Sequence, residues 1–277
     1  MHFFIFHFPL FSLLLIIFIL FCLELIRACK KKNLKRIENL VERGANIEYE
    51  AKESKLTPLF ISAMNGDLET MKYLLQQGAD MEHQVIDGWT PILITAQEGN
   101  FDCLEVLIEN GANIEHQDDN GGTSLLHATL GNHFECMKSL IDHGGNVDHV
   151  QNNGYSSVLI ACEMGHFECL KYLVENGARF KSAGKDRDTG LHLAAKHGHL
   201  ECVEFLVENG SNIDHTGQNK GSPLILAIQN GHIECVKYLV QQGANIKFHV
   251  SNHLTPIHQA AKHNQLECLK YLIEQGV

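Results

Sequence analysis

The chain has 277 residues, 44% hydrophobic and 20% charged, which excludes a disordered polypeptide and leaves room for one or two domains or a repeat array. Its formal net charge of -11 argues against a phosphate-backbone partner, so nucleic acid is set aside as a ligand.

Residues 1–22 are the first element. No Lys, Arg, Asp or Glu occurs before Glu24, and about 20 apolar residues in a helix match the roughly 30 Å of a bilayer core. The segment is expected to be a hydrophobic N-terminal helix and reads as a transmembrane anchor. A signal peptide fits less well, because its apolar stretch runs about 7–15 residues between basic residues and a small-residue cleavage site. A non-spanning or misassigned segment is the third reading, since no linker separates it from the first repeat helix. Arg27, Lys30, Lys31, Lys32, Lys35 and Arg36 come next, and the positive-inside rule would hold the remainder of the chain at the cytoplasmic face.

From residue 23 to residue 277 the sequence repeats. An early unit covers about Leu23 to Ser54, and seven more run in register with a 33-residue period from Lys55, the last one cut short. Thr57, Thr90, Thr123, Ser156, Thr189, Ser222 and Thr255 form a hydroxyl column suited to capping a helix start. Pro58, Pro91, Pro223 and Pro256 come one residue later, where a missing N–H costs nothing. The short helix predicted there is lined by small residues such as Ala63, Ala96, Ala161 and Ala227. It ends at Gly66, Gly99, Asn132, Gly165, Gly198, Gly231 and Asn264, residue types that tolerate a left-handed turn.

A second helix comes next in each unit. Its first turn carries Glu69, Asp102, Glu135, Glu168, Glu201, Glu234 and Glu267. That acidic column is read as complementing the helix dipole rather than as acid–base chemistry. The column Leu74, Leu107, Leu140, Leu173, Leu206, Leu239 and Leu272 is invariant and makes the apolar stripe. Gly78, Gly111, Gly144, Gly177, Gly210, Gly243 and Gly276 close the second helices as left-handed caps. Short β-hairpin-like loops lead onward.

The stretches TPLFISAMNGD, TPILITAQEGN, TGLHLAAKHGH and TPIHQAAKHNQ, each with a Leu-rich helix and a Gly-Ala-Asn-Ile-like turn after it, resemble the ankyrin repeat. The resemblance covers residues 23–277, about eight repeats with the first and last atypical. It implies an all-α ankyrin-repeat solenoid preceded by the hydrophobic helix. The family's histidine in T-P-L-H survives only as His192 and His258, which puts the associated hydroxyl–imidazole network in doubt elsewhere. Arg179 and Phe180 replace the usual Asn-Ile, so a distorted hairpin is expected there. The array reaches Gly276-Val277 without a polar capping repeat. A fragment, a frayed end and a covered end all fit that pattern.

Cys103, Cys136, Cys169, Cys202, Cys235 and Cys268 also recur every 33 residues. Helices stacked about 8–10 Å apart keep such positions beyond disulfide reach. They are read as reduced, buried thiols in a reducing compartment. Two histidine columns, His133, His166, His199, His232 and His83, His116, His149, His215, lack the local pairing of a zinc site. The first is read as structural and the second as solvent-facing. No phosphate loop, nucleophile elbow or zincin helix is present, and no cofactor, metal or catalytic residue is assigned.

Proteins that look like this bind partners with hairpin tips and first helices. The positions with no core role there include Trp89, Tyr155, Ile86, Leu130, Met164, Gln97, Lys196 and His197, and these are the candidate partner-binding residues. Trp89 is the sole tryptophan, and aromatic residues are over-represented among interface hot spots. The expected function is a non-catalytic adaptor that holds a protein partner on a concave face. The alternatives are a regulatory or targeting arm of a longer enzyme or channel, and a structural spacer.

Overall fold

The computed structural model describes residues 8–276 except 52–53, 183, 185–186, 218–220 and 248–253, and residues 8–16 as backbone only. The chain divides into two compact units, residues 1–127 and 128–277. In the first, α1 (Phe8–Lys30) pairs with α2 (Leu34–Glu42), α3 (Pro58–Asn65) with α4 (Leu68–Gln76), and α5 (Pro91–Glu98) with α6 (Phe101–Glu109). Helix α7 (Ser124–Leu130) spans the division, and α8 (Phe134–Asp142) comes after it. The second unit continues with α9 (Ser157–Met164) on α10 (Phe167–Glu175), α11 (Gly190–His197) on α12 (Leu200–Glu208), α13 (Pro223–Asn230) on α14 (Ile233–Gln241), and α15 (Pro256–Lys262) on α16 (Leu266–Glu274).

The first helices begin where the hydroxyl column places them. Thr57, Ser156 and Ser222 side chains accept from the backbone N–H groups of Phe60, Leu159 and Ile225 at 3.3, 3.4 and 3.4 Å. At Thr189 and Thr255 the cap is reciprocal. The His192 and His258 Nδ1 atoms lie 2.8 and 2.7 Å from the threonine hydroxyls and also accept the threonine N–H groups. The hydroxyl–imidazole network thus exists at the two repeats that keep the histidine. The Thr90 hydroxyl is buried and finds no partner among the described residues.

The Leu column from Leu74 to Leu272 is buried throughout, as are Ala63, Ala96, Ala128, Ala161, Ala194, Ala227 and Ala260. Each fully buried leucine contributes about 1.5–3 kcal/mol through apolar area removed from water. The acidic column stands exposed in the first turn of each second helix.

The loops are short and hairpin-like, as expected. Among the described residues there is no strand, and the bridge whose two sides are both described joins Val150 and Ser156. Single closures replace a ladder, such as Val85 N–H on Trp89 O at 2.8 Å and Gln151 N–H on Tyr155 O at 2.9 Å. Side chains tie the loops to one another. Glu48 accepts from the Asp80 N–H at 2.9 Å, Glu82 from Asn113 at 2.8 Å, Asp148 from Arg179 at 2.8 Å and Asp214 from Asn245 at 2.9 Å. Arg179 keeps this bond and adds its own Nε on Asp148 Oδ2 at 2.8 Å. It cannot make the turn in which Asn46, Asn113 or Asn212 accepts an N–H two residues on, because a guanidinium has no acceptor. Part of the hairpin after Arg179 lies outside the described residues.

The N-terminal expectation falls mostly on residues 1–16, whose side chains lie outside the described residues. Among the described residues, no helix is long and apolar enough to cross a membrane; residues 1–7 lie outside them. Cys22, Leu25, Ile26 and Cys29 are buried where α1 packs on α2 and α3, so this end of α1 acts as the first helix of the first repeat. At the other terminus, Cys268 and Leu272 of α16 are buried while Leu266 and Ile273 are exposed.

All nine cysteines are free and buried. Burial pushes the Cys29 and Cys202 thiols up to about 12 and the Cys103, Cys169 and Cys235 thiols to about 11. The thiolate is the nucleophile, so these groups are unreactive while folded. An aromatic disulfide reagent at neutral pH should therefore label the native protein slowly and all nine thiols once guanidinium unfolds it. Rapid native labelling of several thiols would contradict the buried assignment.

Candidate functional site

Five of the second helices open on a side chain that reaches back one repeat. The Asn100 amide donates to the Ala63 and Met64 carbonyls at 2.8 and 3.1 Å. The His166, His199 and His232 Nε2 atoms meet the carbonyls of Leu130, Glu163 and Lys196 at 3.3, 2.9 and 2.9 Å, and Gln265 donates to Gln229 O at 3.1 Å. These carbonyls end the first helix of the preceding repeat and have no partner within it. The glycine between is needed twice. Gly165 and Gly198 have φ of 73° and 78°, and a Cβ on either would collide with the His199 or His232 ring. The first histidine column is structural, as expected. The second is not solvent-facing: His83, His116, His149 and His215 are half-buried, and His116 Nε2 holds Gly88 O at 3.0 Å.

This scaffold fixes the candidate residues. In the first unit, Asp87 and Gly88 both have positive φ, 60° and 74°, the conformation of a tight hairpin turn. Ile86 and Trp89 flank it. Ile86 is 48% exposed and Trp89 half-buried. The Trp89 ring lies on His127 with centroids 4.4 Å apart. His127 is held on both edges, by Asp118 Oδ2 at 2.8 Å on Nε2 and the Gln97 amide at 3.0 Å on Nδ1. Asp118 is itself buried and accepts from the Asn120 and Gly122 N–H groups at 2.8 and 2.7 Å. Gln97 therefore serves the support of Trp89.

In the second unit, Leu130 and Met164 are 42% and 48% exposed as the last residues of α7 and α9. Lys196 and His197 are exposed at the end of α11, and the His197 Nε2 lies 3.8 Å from Glu163. Tyr155 is half-buried, its N–H on Asn153 Oδ1 at 2.9 Å. The candidates thus fall into two sets by unit: Ile86, Trp89 and Gln97, and Leu130, Tyr155, Met164, Lys196 and His197. Sequence reasoning missed His127 and Asp118. His127 stands one residue past the family's histidine position, which holds Leu126, and that offset was the available signal.

Three matches to a family model described as ankyrin repeats (3 copies) cover residues 25–118, 94–184 and 191–277. The chain belongs to the ankyrin-repeat family. A 67-residue stretch is 34% identical to the Arf-GAP with coiled-coil, ANK repeat and PH domain-containing protein 2 of Homo sapiens and of Oryctolagus cuniculus, covering 24% of this chain and 9% of theirs. The crystal structure of the human ASB11 ankyrin repeat domain aligns with 26% identity over 78% of this chain and 98% of that one, with a TM-score of 0.72. The ankyrin repeat is an interaction module, and none of these matches indicates a catalytic family.

Burial pulls the His127 imidazole below the ordinary histidine value against the opposing pull of Asp118. Burial does the same at His192, with Asp188 opposing and His215 adding to it. Unfolded, both titrate near pH 6.5, so the unfolded chain takes up protons first as pH falls. The stability held by the neutral rings is complete above about pH 6.5 and is lost as pH drops toward the lower folded values. Urea midpoints should decline from neutral to mildly acid pH, and less steeply in a His127→Gln, His192→Gln variant. An equal decline in that variant would contradict the assignment.

Proposed function

We propose that the protein is a non-catalytic adaptor or scaffold that binds a partner protein at the loop tips and first-helix ends of its ankyrin repeats. The observation that carries this is the exposure of Leu130 and Met164 at the C-terminal ends of the first helices of adjacent repeats. Neither side chain has a core role, both lie on backbone tied down by neighbouring repeats, and Lys196 and His197 supply charge and hydrogen-bonding groups one repeat on. A rigid surface spares the partner the ordering cost of binding. In the first unit, Ile86 and the braced Trp89 form the corresponding anchor. The buried, unpaired thiols support a reducing compartment such as the cytoplasm.

A second reading, the arm of a longer enzyme, draws on the curated relatives, in which the matched stretch is 9% of the whole and whose names carry further domains.

The test is affinity capture from native extract with the full chain as bait, beside Met164→Asp and Trp89→Ala variants whose circular dichroism and urea midpoint match the parent. A lost hot spot is worth at least about 2 kcal/mol, or roughly thirtyfold in affinity. A partner retained by the parent and lost by either variant supports the adaptor and locates the face used. Full retention by both variants would contradict the assignment of these residues, and capture of nothing specific would count against the adaptor itself.

A further inference from the structure

Charge is unevenly placed along this acidic chain. Residues 24–43 hold seven Lys and Arg against three Glu, while the whole chain holds 22 Lys and Arg against 33 Asp and Glu. Arg27, Lys30, Lys31, Lys32, Lys35, Arg36 and Arg43 are all exposed, on the last turns of α1, the turn after it, and α2. On the same stretch, Ile17, Phe18 and Leu20 of α1 are exposed, a concentration of large apolar surface that the repeat fold does not require.

The two features meet in one shallow groove of about 260 Å³ between α1 and α2. Ile17, Leu20 and Phe21 form its apolar wall and Arg36 and Arg43 its charged one. The Arg43 guanidinium lies 4.6 Å from the centre of the Phe21 ring. Glu24 also lines the groove. It pairs with Arg27 at 2.6 Å and lies 4.0 Å from Arg36, so it offsets one of the seven cations and leaves the face basic. Helix α1 is 23 residues long, whereas α3 has eight residues and α7 seven. Its extension toward Phe8 carries no charged residue.

We propose that this face of the first unit docks on an anionic membrane surface, with Ile17, Phe18 and Leu20 entering the headgroup boundary and Arg36, Arg43 and the Lys30–Lys35 cluster meeting lipid phosphates. Apolar side chains entering about 5–10 Å beneath a rim of cations are what an interfacial helix uses. Guanidinium groups match phosphate oxygens in two-point hydrogen bonds. The contact lies in the interface and requires no spanning helix. An acidic peptide would satisfy the arginines but leave the exposed aliphatic stripe without a partner, which favours the lipid surface.

The experiment is flotation of the full-length chain with vesicles of phosphatidylcholine alone and of phosphatidylcholine mixed with phosphatidylserine. Each cation near an anionic leaflet is worth about 1 kcal/mol, or roughly fivefold in binding. Association should be about twenty-fivefold stronger with phosphatidylserine, the effect of two such cations. It should weaken as salt shortens the Debye length to about 8 Å, and it should be lost in an Arg36→Glu, Arg43→Glu variant that keeps the parent's urea midpoint. A Leu20→Asp variant should weaken binding while retaining the salt dependence. Equal binding to both vesicle types would assign association to the apolar N-terminus alone and overturn the proposal. So would absence of vesicle binding together with salt-sensitive capture of polyglutamate, which would assign the basic face to an acidic protein.

Discussion

A short helix ends with carbonyl groups that have no partner inside it, and the two-helix repeat makes such an end every 33 residues. The residue that opens five of the second helices answers one of these ends from a full repeat away. Asn100 does so in the first unit, and His166, His199, His232 and Gln265 do so in the second. The bond spans 36 or 37 residues of sequence but only one repeat of structure. It adds a directional bond to the apolar contact between neighbours. The carboxylates of Glu48, Glu82, Asp148 and Asp214 act in the same way at the loops, each holding an N–H of the next repeat. Apolar burial drives stacking, and these directional bonds fix its register.

That division leaves some surface with no structural task. The columns used for stacking cannot vary without losing core volume or a partner, so functional variation is confined to hairpin tips and first-helix ends. Trp89 shows what such a position requires. Its ring is braced by His127, which Asp118 and Gln97 hold from opposite sides. The support ties the tip of one hairpin to the next repeat, so a large side chain is presented with little conformational freedom to lose. Leu130 and Met164 reach the same end more simply, as apolar ends of helices whose terminal carbonyls are clamped.

Much of this was legible in the sequence because it repeats. The hydroxyl and proline columns located the first helices, the glycine and asparagine columns their left-handed ends, and the Leu column the core. Other features were hidden because they depend on side chains far apart in sequence. The His199 column had the look of a family motif, but its partner carbonyl is invisible until repeats stack. The hairpin histidines are polar and lie in loops, so they read as exposed, whereas His116 points inward to the Gly88 carbonyl. The cluster under Trp89 combines residues from three elements, and its histidine sits one residue off the family pattern. At the N-terminus, hydropathy marked residues 1–22 as one segment. Burial of Cys22, Leu25, Ile26 and Cys29 shows that the end of α1 belongs to the first repeat's core.

If the clamps set the register of the repeats, removing them must weaken the stack at each junction separately. Urea unfolding of His166→Ala, His199→Ala and His232→Ala, singly and together, measures this most directly. A net hydrogen bond is worth about 1 kcal/mol, and more where an acceptor is left buried. Bonds at separate junctions should contribute nearly independently. The result predicted is a loss of about 1 kcal/mol for each single variant and about three times that for the triple, with binding at first-helix ends weakened in parallel. Three single variants and a triple as stable as the parent would contradict the account, leaving apolar packing and the loop bonds to hold the repeats in place.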